Sequence, residues 1–115
     1  MPEPDLAEPL VALTTLEGAE QAKALVRRLV DDRLVACGTV LSGATSIYRW
    51  EGAVTTTQET LVVLKTTRAR WAGLVAAMER HHPYEVPELL ALPVTLGLAP
   101  YLAWLVAQTQ PDAAA

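Results

Sequence analysis

Ser46-Ile47-Tyr48-Arg49-Trp50-Glu51-Gly52 gathers a Tyr, an Arg, a Trp and a Glu in seven residues closed by a glycine. Successive side chains of an extended chain point to opposite faces, so Ser46, Tyr48 and Trp50 share one side and Ile47, Arg49 and Glu51 the other. Extended sequence lies on both flanks. Residues 34 to 50 form one arm, and Val54-Thr55-Thr56-Thr57 through Leu61-Val62-Val63-Leu64-Lys65-Thr66 form the other, rich in the Thr and β-branched residues that favour strands. A long β-hairpin with its turn at Glu51-Gly52 follows. Gly38 and Ser42-Gly43 interrupt the first arm and read as a bend or bulge within one strand.

Working outward, Leu10-Val11-Ala12-Leu13 is a short apolar run without alternation, which suits a central strand buried on both faces. Glu17 and Glu20 then sit where a helix N-terminus favours negative charge, and Ala22, Leu25, Val26, Leu29 and Val30 recur at helical spacing. Beyond the hairpin, Thr67 is a candidate N-cap for a second helix whose apolar stripe is Trp71, Leu74, Val75 and Met78. Pro83 ends that helix, because proline also drives His82 out of helical geometry. Leu89-Leu90-Ala91-Leu92 is a fourth strand, and Pro93 places it at an edge or a bulge. Pro100 opens a last short helix, with Tyr101, Trp104 and Leu105 on one face. The order β-α-β-β-α-β predicts an α+β, ferredoxin-like split βαβ fold with a long central hairpin and an added C-terminal helix. Residues 1 to 9, with three prolines and three acids, read as a mobile tail, residues 10 to 109 as one domain, and residues 110 to 115 as a frayed end.

The totals narrow the function classes. At 115 residues and 51% apolar, with no Phe, the chain can bury a core built from Ala, Val and Leu. A net charge of −4, without a basic run, argues against nucleic acid as a partner. No stretch approaches the roughly 18 apolar residues of a membrane span, and residues 1 to 9 do not read as a signal peptide. The single cysteine, Cys37, excludes an internal disulfide and fits a reducing, cytoplasmic setting.

No catalytic set assembles: there is no Gly-rich phosphate loop and no recognised Ser, His and acid arrangement. The expectation is a protein that is not an enzyme and has no organic cofactor. Cys37 reads as a small core residue. His81 and His82 are the only histidines. Adjacent helical residues diverge, but Pro83 frees His82 to turn, so the pair is a candidate site for copper or zinc. Otherwise they are C-terminal histidines bonding to exposed carbonyls. Two prolines stiffen His82-Pro83-Tyr84-Glu85-Val86-Pro87-Glu88 and present Tyr84, Glu85 and Glu88 in a defined geometry.

Ser46 to Gly52, Leu64-Lys65-Thr66-Thr67, His82 to Glu88, Tyr101-Leu102-Ala103-Trp104 and the pair Ala36-Cys37 occur in one order and spacing. Together they resemble the divalent-cation tolerance proteins of the CutA family, over about residues 10 to 109. The resemblance implies the ferredoxin-like fold, a tight homotrimer joined through long hairpins, an architecture similar to the PII signalling proteins, and divalent cations as partners. It also implies a metal site at His81 and His82. Thr14 stands where metal-binding bacterial relatives have a Cys, and a Thr hydroxyl is a poorer ligand for soft copper than a thiolate. The chain also has Cys37-Gly38-Thr39-Val40-Leu41-Ser42 where many relatives carry an Asn and a Pro. The leading expectation is a cytoplasmic homotrimer of metal-ion homeostasis that binds divalent cations weakly at the His pair. The alternative is a PII-like small-ligand or signalling module, with an inter-subunit cleft lined by Tyr48, Trp50, Glu51, Lys65, Tyr84 and Glu85.

Overall fold

The computed structural model describes residues 5 to 111; the remaining parts of both expected tails lie outside the described residues. Eight elements follow in order: β1 (Pro9–Leu16), α1 (Ala19–Asp31), β2 (Cys37–Trp50), β3 (Ala53–Thr67), a 3-10 turn (Arg68–Arg70), α2 (Trp71–His81), β4 (Leu90–Pro93) and α3 (Ala99–Gln108). The four strands form one antiparallel sheet in the order β2-β3-β1-β4. That order is the ferredoxin-like arrangement, with β1 between β3 and β4.

One face of the sheet carries the core. Ala12 and Leu16 of β1 and Val62 and Leu64 of β3 pack with Ala22, Leu25, Val26 and Leu29 of α1 and Leu74 and Met78 of α2. Leu29, Leu64 and Leu74 are fully buried, each worth about 1.5–3 kcal/mol of transfer free energy. The expectation that β1 is buried on both faces needs refinement. Its residues alternate between buried and half-buried, because α1 and α2 cover only one side. The other side is only partly covered within a single chain.

The first helix forms where its apolar spacing placed it, with Glu20 in its first turn and Arg28 in its last. The start of the second differs. Thr67 precedes the 3-10 turn and not α2, and its side chain makes no capping hydrogen bond. Its hydroxyl instead donates to the Thr109 hydroxyl at 3.4 Å in a buried contact, which ties the end of α3 to β3. Strand β1 begins one residue ahead of the expected boundary, at Pro9. Just before it, Arg68 and Ala69 donate backbone N–H groups to the carbonyls of Glu8 and Leu6, and Arg68 Nη2 lies 2.8 Å from Glu8 Oε1.

The hairpin carries the bulge that its glycines foretold. Pairing shifts between Leu41 and Ala44, and Gly43 adopts φ 85, a left-handed conformation costly for other residues. The extra residue changes which positions face which way. Cys37, Thr39 and Leu41 oppose Lys65, Val63 and Leu61, whereas beyond the bulge Ser46 and Tyr48 oppose Thr57 and Thr55. Odd positions before the bulge and even positions after it thus lie on the half-covered face. The turn itself is Glu51-Gly52, both with positive φ, at 49 and 83. Among the described residues no helix is long and apolar enough to cross a membrane.

Candidate functional site

A cavity of about 640 Å³ opens on the half-covered face, where the far end of the hairpin meets the connection after α2. The end of β1 supplies Thr15, and Glu17 follows it. The hairpin supplies Ser46, Tyr48 and Trp50 from β2, and Thr57 and Glu59 from β3. The Pro83-to-Glu88 connection closes the wall with Tyr84, Glu85, Val86 and Glu88. Two prolines stiffen that connection.

Glu59 is the fixed point of the wall. It is only 7% exposed, and its Oε2 accepts a 2.7 Å hydrogen bond from the Tyr84 hydroxyl. Burial pushes its pKa up, but hydrogen bonds from Ser46, Tyr84 and Thr15, together with nearby His82, outweigh that effect. The carboxyl therefore sits below its ordinary value of 4.5 and is ionised at neutral pH. Tyr84 responds in the opposite sense: burial and its bond to Glu59 drive the phenol well above its ordinary value. A second hydroxyl pair, Tyr48 Oη and Thr57 Oγ1 at 3.0 Å, holds the Tyr48 ring against β3.

His82 belongs to this network. Tyr84 donates its backbone N–H to His82 Nδ1 at 3.1 Å, which leaves the ring proton on Nε2 to be donated to the Thr15 carbonyl at 2.9 Å. Burial disfavours the charged ring more than Thr15 and Glu59 favour it, so the pKa falls below 6.5. The Tyr84 ring packs edge-on to it at 4.8 Å. A ring using both nitrogens this way offers no lone pair to a metal.

His81 goes elsewhere. It lines a separate groove with Gln21, Arg28 and Pro83, so the structure does not bring the two histidines to one site. Among the described residues no three His, Cys, Asp or Glu side chains gather as a metal site. Thr14, at the position expected for a relative's Cys, is fully buried on the helix-covered face of β1. Among the described residues its hydroxyl has no hydrogen-bond partner. As placed, His81 and His82 do not form a chelating pair, and Thr14 adds no ligand to them.

Of the six cleft residues read from sequence, Tyr48, Trp50, Tyr84 and Glu85 line the cavity. Glu51 sits in the hairpin turn, and Lys65 lies opposite Cys37. Lys65 lies six residue steps along β3 from Glu59, which is about 20 Å of strand. Lys65 Nζ is 3.9 Å from Cys37 Sγ, and Tyr101 Oη is 3.7 Å from the same sulfur. Cys37 is half-buried on the open face and is absent from the core cluster to which the sequence assigned it. Glu59 itself is not among the residues that the sequence singles out. The available signal was an acid inside a Thr-rich strand run, Thr55-Thr56-Thr57-Gln58-Glu59-Thr60, a setting that normally excludes carboxylates.

Comparison with known proteins agrees with this architecture. The family model described as "CutA1 divalent ion tolerance protein" matches residues 10–108. The divalent-cation tolerance protein CutA of Salmonella newport is 42% identical over 100 residues, covering 87% of each chain. The solved structure of the divalent cation tolerance protein from Thermus thermophilus is 41% identical with a TM-score of 0.86, covering 89% of this chain and 99% of that one. A more distant structure, the periplasmic divalent cation tolerance protein CutA from Archaeoglobus fulgidus, shares the fold at 24% identity and a TM-score of 0.85, covering 89% of this chain and 99% of that one. With the sheet order, the long bulged hairpin and the match over residues 10–108 in hand, the chain belongs to the CutA1 divalent ion tolerance protein family.

Proposed function

We propose that the protein serves divalent-cation tolerance as a non-enzymatic, cytoplasmic homotrimer, a PII-like module whose working site is the cavity at Glu59. The single observation that carries this reading is the ionised, hydrogen-bonded Glu59 on the wall of a 640 Å³ cavity. That volume lies within the range of small-molecule sites, and fixed polar groups set among rings give such sites their specificity. The trimer is supported by apolar surface that one chain leaves open. Leu90, Leu92, Leu96 and Leu98 are 58%, 55%, 90% and 75% exposed, and the outer edges of β2 and β4 have no strand partner among the described residues. A thermal-shift screen of small metabolites on the wild-type protein and Trp50→Ala tests the site. Stabilisation by a compound that Trp50→Ala abolishes supports it, and a screen with no response above controls counts against it. Sedimentation at three chain masses is expected, and a monomer mass would overturn the assembly.

Copper or zinc binding through His81 and His82 is the second reading. It is favoured by His81, which lines a groove at the end of α2, and by the name of the family. It requires His82 to leave both of its hydrogen bonds. Calorimetric titration with either metal, against the His81→Ala/His82→Ala variant, decides it. Identical heats from both proteins would sink the assignment.

A further inference from the structure

We propose that the cavity selects a small organic cation, an ammonium carried on a ring-bearing body, and rejects nucleotides and other anions. This deepens the small-ligand reading and rests on it. The cleft read from the sequence has Lys65 as its one basic residue. Within one chain Lys65 instead sits opposite Cys37, and none of that chain's described residues lining the cavity is Lys, Arg or His.

What the wall does present is four carboxylates, Glu17, Glu59, Glu85 and Glu88, and the rings of Tyr48, Trp50 and Tyr84. The carboxylates are dispersed: no three of them approach closely enough to hold a metal ion among the described residues. A point-like divalent cation is therefore poorly matched to this wall, because such ions need several converging oxygens. A cation with an extended body is well matched. Its charged nitrogen can reach Glu59, whose carboxylate is anchored by Tyr84 at 2.7 Å. Its apolar part then lies against Trp50 and Tyr48, which are 45% and 40% exposed in the single chain. The rings add cation–π attraction, and the anchored carboxylate adds a charge-assisted hydrogen bond. An anion in the same space faces a carboxylate that hydrogen bonding keeps charged.

The test uses one ring with opposite charges on the intact assembled protein. Calorimetric titrations with tryptamine, indole-3-acetate and ATP are compared. The expected result is binding of tryptamine, at least about ten-fold tighter than indole-3-acetate, with the advantage lost in Glu59→Gln. Glu85→Gln, at an exposed position, gives a smaller loss and serves if Glu59→Gln fails to fold. Binding of ATP or indole-3-acetate that Trp50→Ala removes overturns the charge selectivity and leaves the cavity as the site. Heats absent with all three ligands overturn the selectivity, and the metabolite screen then judges the cavity separately.

Discussion

The Tyr84 hydroxyl donates a 2.7 Å hydrogen bond to Glu59 Oε2 across 25 residues of sequence. That bond joins the stiff connection after α2 to the middle of β3, and the cavity exists between them. Replacing Tyr84 by Phe keeps the ring and deletes the donor. The expected cost is about 1.5–3 kcal/mol, the range for a hydrogen bond to a charged group. Chemical denaturation of the two proteins measures it, and a loss below a few tenths of a kcal/mol would show that the bond holds nothing in place.

Acid should weaken the protein in two stages. Folding lowers the His82 pKa below 6.5, so its contribution is full above that value and drains as pH falls through the folded pKa. Folding lowers the Glu59 pKa below 4.5, so its contribution is lost by the same sign at lower pH. Tyr84 acts in the other direction, with a raised pKa whose contribution is lost only as pH climbs above 10.0. Melting temperatures from about pH 8 down to about pH 2 check the acid side and span both stages. Glu59→Gln should flatten the lower stage alone, and an unchanged profile in that variant would contradict the assignment.

His82 should remain in its Nε2–H form when zinc is added at neutral pH. Its Nδ1 accepts from the Tyr84 amide and its Nε2–H faces the Thr15 carbonyl, so a metal must first break both bonds. Long-range nitrogen–proton NMR correlations report the tautomer directly. Loss of the Nε2–H pattern at stoichiometric zinc would revive the His pair as ligands.

Glu51 occupies a position of φ 49 in the two-residue turn before Gly52. Such turns favour Asn-Gly, because a longer side chain is strained in the left-handed region. Glu51→Asn should therefore stabilise the hairpin by several tenths to about 1 kcal/mol and leave ligand binding untouched, since Glu51 is outside the cavity wall. A melting point that falls in this variant would mean Glu51 has a role beyond the turn.

Much of the architecture was legible because it rests on local signals. The apolar spacing of Ala22, Leu25, Val26 and Leu29 marks α1, Pro83 marks the end of α2, and Gly43 and Gly52 mark the bulge and the turn. The site was legible only in part, because it depends on what faces what. The alternation of Ser46, Tyr48 and Trp50 is readable, but the bulge decides that they share a face with Glu59 and not with the core. Lys65 shares that face too, yet it lies too far along the strand to reach the cavity. His82 reads as a ligand because nothing in the sequence announces that the Thr15 carbonyl and the Tyr84 amide will occupy its ring. Thr67 reads as a cap because its buried partner, Thr109, lies 42 residues away.

A small ligand received at the Glu59 wall should be visible there. The most direct measurement is a crystal structure of the assembled protein soaked with the strongest compound from the thermal-shift screen. The predicted result is ligand density between Trp50 and Tyr84, with a polar atom within hydrogen-bonding distance of Glu59. Density at His81 and His82, with the Glu59 cavity unchanged, would contradict the account.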